Sequence, residues 1–495
     1  MKTGRWLSIA AMTCLAAVLL VVHSATATRR HAISMAAGDT VFRPAVAEVQ
    51  LIAKTTSPPP VSDCFALGIR CFTPQSMTAG YNFGPLYVSG FNGKGKTIAI
   101  IDSFGSPTIA DDLHTFDVGF GLQPMCGESG VTCAPDMPTF SILEVQGSPA
   151  PPPQPPNSSN SQNRLGWAVE TSLDVEWAHA TAPGADIILV TTPTAETLGV
   201  QGFPQIISAV QYVVDHHLAD VISMSLAAGE GSFKNGQAAL LNMRKAFVDA
   251  QANGITILAA SGDGGTTNSL KEPVKNPALI PYPSVEWPAS DPLVTAVGGT
   301  RLCTDPTATG SRTTDNTDPP SVCQVQPAEA EIGWPFSGGG YSILFPRPAF
   351  QDNLPAGSSY VGSSVGAPGP NSNMRGVPDV AYQASSGTGP LVYFSAFGWF
   401  VVGGTSCSAP QWAGLIAIAD QISGGNLGYI NPGLYKIGSD PARYAADFFD
   451  ITSGNNTTSS IPGYSATQGW DAVTGLGTPN AANLAHDLVA AVQDH

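Results

Sequence analysis

Short apolar runs bounded by turn residues recur along the chain at Thr97–Ile101, Asp186–Val190, Val221–Ser225, Ile255–Ala260 and Leu293–Val297. Between them lie longer segments whose apolar positions repeat with helical period, Arg164–Ala182, Pro204–His217 and Gly236–Asn253, and another follows at Ser408–Ile422. Strands that are apolar on both faces need cover on both faces. Buried strands alternating with helices therefore predict an α/β fold, a mostly parallel central sheet between two helical layers. In such sheets, functional sites gather at the carboxyl ends of strands, where loops lead into helices. Two stretches depart from the alternation. Residues 28–75 are polar and without strong periodicity, include Ser57-Pro58-Pro59-Pro60, and predict a short leader or reduced pro-segment. Ser148–Asn163 is Pro-rich and then Ser/Asn-rich, a loop of polyproline character. Because strands and helices resume after it, it interrupts one domain, taken as residues 76–495, and does not separate two.

The amino terminus bears on the compartment. Lys2 and Arg5 precede an apolar run from Trp6 to Val22, and Ala25-Thr26-Ala27 supplies small residues at the offsets a signal peptidase needs. Residues 1–27 read as a secretory signal peptide; the alternative is an uncleaved anchor, for which a helix of about 20 apolar residues is required. Export makes three local cysteine couples, Cys64/Cys71, Cys126/Cys133 and Cys303/Cys323, readable as disulfides. Cys14 leaves with the signal and Cys407 is left over. Asp and Glu outnumber Lys and Arg by 37 to 21, a net charge of -16, which repels nucleic acid and anionic lipid and excludes both as expected partners.

The sharpest local chemistry lies in VVGGTSCSAPQWAGLIAIAD, Val401–Asp420. Two glycines allow a tight turn, and Thr405-Ser406 then open a helix with Pro410 in its first turn. A serine there sits beside free backbone N–H groups and the positive end of the helix dipole, which suits a nucleophile; the simpler reading is a helix cap. A nucleophilic serine needs a base. None of the histidines is followed by Gly-Thr, the signature of the base in subtilisin-like enzymes. Glu170 and Asp174, in GWAVETSLDVEWAHATAPGA, are four apart and share one helix face, among small and apolar neighbours that predict burial. Two carboxyls in a dry site share a proton, which makes a base with an orienting partner. Nearby Glu176 keeps open the alternative of an ordinary acidic face. Asp263 follows the Ile255–Ala260 run in Ser261-Gly262-Asp263-Gly264-Gly265, where a plain Asp-Gly turn is the simpler reading.

These motifs together carry a resemblance. GGTSxSAPxxAG is similar to the nucleophile motif shared by subtilisins and sedolisins, and ExxLDxEWAxxxAPxA resembles the sedolisin family of serine-carboxyl peptidases. The similarity runs from about Cys71 (CFTPQSM) to the carboxyl terminus, through GKTIAIIDSFG, VGGT at Val297–Thr300 and RGVPDVA at Arg375–Ala381. It implies a subtilisin-like fold, hydrolysis of protein or peptide substrates in acid, and autocatalytic maturation. It also implies the roles: Ser406 as nucleophile, Glu170 as base, Asp174 as its partner, and a protonated Asp263 as oxyanion donor where subtilisins place asparagine. One structural calcium ion is implied, held by the carboxylates of Asp450 and Asp471 and the carbonyls of Ile451, Thr467 and Gly469. Oxygen-only ligands suit calcium and not zinc. Three departures stand out. Thr467 replaces a usual glycine, Leu226-Ala227 replace a Trp-Gly that lines the substrate cleft, and residues 28–75 stand where a long pro-domain is usual. A monomer is expected. The rival readings are a histidine-dependent subtilisin relative, an inactive secreted binding protein on a peptidase scaffold, and a structural surface protein.

Overall fold

The strand Thr97–Ser103 shows how the fold is built: Ile98 and Ile100 belong to one hydrophobic core, Ala99 and Ile101 to another. A strand's successive side chains point to opposite faces, so a run apolar at every position requires two cores. The computed structural model describes residues 48–494 apart from 146–158, 196–201, 234–236, 270–278, 308–311, 316–318, 326, 353, 355–357, 359–372 and 459–460. The expected signal peptide, the start of the expected leader and most of the Pro-rich loop lie outside the described residues.

The central sheet has eight strands, ordered Glu331–Gly333, Thr295–Leu302, Thr256–Ala260, Val221–Met224, Thr97–Ser103, Asp186–Thr192 and Phe140–Glu144, with Val380–Gln383 also pairing Thr295–Leu302. Every pairing is parallel except that of Glu331–Gly333. Helices Ser159–Thr181 and Ser408–Ser423 pack on one side of the sheet, and Phe203–Asp215 with Lys245–Ala252 on the other. The expected mostly parallel α/β architecture, with helices on both faces, is the one observed.

Several boundaries differ from expectation for identifiable reasons. The helical pattern of Gly236–Asn253 is cut into Gln237–Met243 and Lys245–Ala252. At the break Arg244 turns its guanidinium onto buried Asp291, at 2.6 and 2.9 Å. The Leu293–Val297 run becomes a longer strand, Thr295–Leu302, because it gains partners on both sides. The stretch expected as a leader contains regular structure: a strand Glu48–Ala53, a helix Val61–Ala66 and a strand Arg70–Phe72. Both strands enter a second, four-stranded sheet ordered Glu48–Ala53, Gly398–Gly403, Thr388–Phe394, Arg70–Phe72. The three expected disulfides form, and Cys407 is free and buried. Among the described residues no helix is long and apolar enough to cross a membrane.

Candidate active site

The second sheet and the central sheet converge on one turn. Strand Gly398–Gly403 ends at Gly404, whose φ of 148° is backbone that favours glycine, and a turn of 3₁₀ helix, Thr405–Cys407, then feeds helix Ser408–Ser423. Ser406 is fully buried on that turn. Helix Ser159–Thr181 packs alongside; at Gly414 an added Cβ would stand 2.8 Å from Thr181 Cγ2, so the two helices cross closely. This crossing brings Glu170 and Asp174, both with no exposed surface, to the turn that carries Ser406.

The electrostatics follow from that placement. Burial pushes the Glu170 carboxyl well above its ordinary value, and Asp174 raises it further. The nearby Ser406 hydroxyl favours its ionised form, while Asp102 and Asp263 raise it again. Burial and then Asp102 raise Asp174, which the Ser225 hydroxyl partly offsets. Ser406 approaches Glu170 closely enough to act on it, yet falls outside ordinary hydrogen-bond geometry. Neither carboxylate nor Ser406 Oγ has a protein partner of ordinary geometry among the described residues. Two buried acids without a cation can keep only part of their charge, so the pair retains a proton that ordinary carboxyls have lost.

Asp263 is joined to the same turn. Its Oδ1 accepts from the Thr405 amide at 2.7 Å and the Thr405 hydroxyl at 3.0 Å, and the Gly262 amide donates to Thr405 Oγ1 at 3.0 Å. All four sequence-predicted site residues therefore come together. Cys407, next to Ser406, is a different matter. Burial, then the charges of Glu170, Asp263 and Asp174, push its thiol well up, and Sγ lies 3.6 Å from the Val402 carbonyl. It stays a thiol and is a poor competing nucleophile.

Two further groups belong to the site that sequence reasoning does not single out. Asp102, next to last in the strand Thr97–Ser103, is fully buried, accepts from Thr171 Oγ1 at 2.9 Å and is pushed up to about 7 by burial. Its signal is an acid closing an apolar run in IIDSFG, at the carboxyl end of a central strand. Ser225, just past Val221–Met224, acts on Asp174. Leu226, at the position where the family carries tryptophan, is buried.

The expected metal residues also cluster. Asp471 is buried; its Oδ1 accepts from the amides of Val473 and Thr474, at 2.8 and 2.9 Å, and its Oδ2 from that of Thr467 at 3.1 Å. Asp450 Oδ2 accepts from the Gly469 amide at 3.1 Å. One loop thus touches both carboxylates, and among the described residues no basic side chain acts on either. Two carboxylates brought to one loop are oxygen donors of the kind a hard cation such as calcium takes. Among the described residues no group of three or more His, Cys, Asp or Glu is placed to hold a metal.

A serine opening a helix at the end of a mostly parallel, doubly covered sheet defines a subtilisin-like scaffold. The family model described as "Subtilase family" matches residues 159–426. Kumamolisin of Bacillus sp. (strain MN-32) is 31% identical over 421 residues, 84% of this chain and 64% of that protein. Sedolisin of Pseudomonas sp. (strain 101) is 32% identical over 278 residues, 56% and 42% respectively. The structure of Pseudomonas sedolisin, a serine-carboxyl proteinase complexed with two molecules of pseudo-iodotyrostatin, superposes with a TM-score of 0.61 at 26% identity, covering 84% of this chain and 98% of that one. The chain belongs to the subtilase family, on its sedolisin branch. It spans less than two thirds of the length of these curated relatives.

Proposed function

We propose that this protein is a secreted, acid-acting serine-carboxyl peptidase that hydrolyses peptide bonds of protein or peptide substrates. The observation that carries the reading is the buried Glu170/Asp174 pair beside Ser406, with no histidine, among the described residues, in the set of groups that act on it. The buried histidine on the same helix, His179, is engaged elsewhere, 3.1 Å from Asp117 and 3.1 Å from the Gln123 carbonyl.

In this mechanism Ser406 Oγ attacks the carbonyl carbon while Glu170 takes its proton, and Asp174 shares the proton of the pair. Charge builds on the carbonyl oxygen, where the Ser406 amide and a protonated Asp263 donate. A carboxyl donates only with its proton on, so this role ties turnover to acid. Glu170 returns its proton to the leaving amine; it then deprotonates the water that cleaves the acyl-enzyme. Asp450 and Asp471, with the carbonyls of Ile451, Thr467 and Gly469, would hold one calcium ion, whose contribution is to fix the carboxyl-terminal loop. Three disulfides suit an oxidising compartment and hence the reading of residues 1–27 as a signal peptide. We take the working form as a monomer that binds no nucleic acid.

The test is hydrolysis of a denatured protein by the purified chain from acid to neutral pH, beside Ser406→Ala. Activity confined to acid and lost in the variant is expected. Activity that rises toward neutral pH would sink the carboxylate base, and equal activity in the variant would sink the nucleophile.

A further inference from the structure

Residues 48–66 stand where a removable leader is expected, yet the peptidase domain is shaped to receive them. Glu48–Ala53 runs antiparallel to Gly398–Gly403, from Glu48 opposite Gly403 to Ala53 opposite Trp399. Thr388–Phe394 occupies the other side of the same strand. Gly403 is three residues from Ser406. Without Glu48–Ala53, the strand that delivers the nucleophile would become a sheet edge with a row of unpaired backbone groups.

The receiving surface carries its own marks. Helix Ile109–Phe120 has a glycine, Gly119, at the point where Pro58 lies against it; an added Cβ would stand 2.8 Å from Pro58 Cγ. Gly398 has φ +80°, and an added Cβ there would collide with the carbonyl of Ala53. Val49 and Ile52 pack against the main core. Further along, the Arg70 guanidinium lies 4.0 Å over the Phe65 ring and pairs with buried Asp315. The Cys64–Cys71 disulfide then fixes helix Val61–Ala66 covalently to strand Arg70–Phe72.

We infer that Glu48–Ala66 is a resident part of the peptidase domain and that any maturation cut falls N-terminal to Glu48. The segment serves as the outer strand that closes the sheet beside the nucleophile; it is not an inhibitor awaiting release. The inference leans on the peptidase reading only in supposing that the chain matures, and its test reads mass and melting, not turnover.

The full secreted chain and its Ser406→Ala variant are held in acid, then analysed by intact mass and amino-terminal sequencing with and without reductant. Folded molecules of both are expected to begin at or before Glu48. A folded species that begins at or after Arg70, with no fragment 48–66 linked to it, overturns the inference. If only the wild type is trimmed in this way, the peptidase reading stands and the inference alone fails. A second variant, Gly119→Ala, tests the docking itself. On an open helix surface this change stabilises, because alanine is the better helix former. Against a docked Pro58 it should lower the melting temperature by several degrees and speed proteolysis at exposed Lys54; because the added Cβ would also stand 3.2 Å from Trp399 Cζ2, the proteolysis is the readout that reports the segment. A higher melting temperature with unchanged proteolysis would show the segment is not seated.

Discussion

Thr171 donates its hydroxyl to Asp102 Oδ2 across 2.9 Å, and so ties the end of a central strand to the helix position next to Glu170. That bond places a third buried carboxyl against the Glu170/Asp174 pair, and its charge raises both of them.

Asp102→Asn keeps the shape and removes that charge. Asp102 is itself pushed up to about 7, so its charge acts on the pair only toward neutral pH; without it Glu170 and Asp174 should ionise at lower pH, and the pH–rate profile should move where it approaches neutrality. Turnover measured from acid to neutral pH checks this, and an unmoved profile would refute a role for Asp102 in tuning the pair. As a positioning residue, Asp102 should alter the profile more than KM.

Ser406→Ala and Glu170→Ala should each lower kcat by roughly 10⁴-fold or more, as removal of a nucleophile or its base does elsewhere. Circular dichroism and melting should show both variants folded. Cys407→Ala, by contrast, should retain activity within about two-fold, since a buried, protonated thiol is not the attacking group. Strong loss in the Cys407 variant with a normal melting curve would reopen the identity of the nucleophile.

Stability should depend on pH in the direction opposite to that of a protein rich in surface ion pairs. Burial pushes Asp420 up to about 7 and Asp112 to about 6, and burial followed by neighbouring Asp117 takes Glu128 to about 7. An acid with a higher pKa folded than unfolded stabilises fully below its unfolded value, and that stability is lost as pH rises through its folded value. The melting temperature should therefore fall by several degrees between mild acid and pH above about 7. A melting temperature constant over that range would contradict the buried-acid account.

Calcium at about a hundredfold over its dissociation constant should stabilise the fold by about 2.7 kcal/mol. A chelator should reverse this, and Asp471→Asn should abolish the response. Calorimetry with and without the ion decides it, and indifference to the chelator in the wild type counts against the site.

The sheet was readable because strands such as Thr97–Ser103 are apolar at nearly every position, a demand that only a doubly covered sheet meets. Ser406, Glu170, Asp174 and Asp263 were readable because each lies in a local motif whose spacing survives folding. Asp102 was harder to read: an acid closing the apolar run in IIDSFG marks it, but the helix whose Thr171 gives it a partner comes long after it in the chain. Strand Glu48–Ala53 was equally hidden, since its register is supplied by Gly398–Gly403 and not by any periodicity of its own. The break at Arg244 depends on Asp291, a partner in a loop far along the chain.

Thr405 gives both its amide and its hydroxyl to Asp263, and its oxygen also receives the Gly262 amide. One threonine is thus a rivet through two loops that come from distant parts of the chain. Its immediate neighbour is Ser406, so the proposed nucleophile is one peptide unit from this pin and the proposed oxyanion donor is bonded to it directly. Thermal drift of either loop carries the other with it, and their spacing is preserved before any substrate arrives. Tolerance for altered side chains should accordingly be narrower at Thr405 than at the many buried positions where packing alone sets the distance.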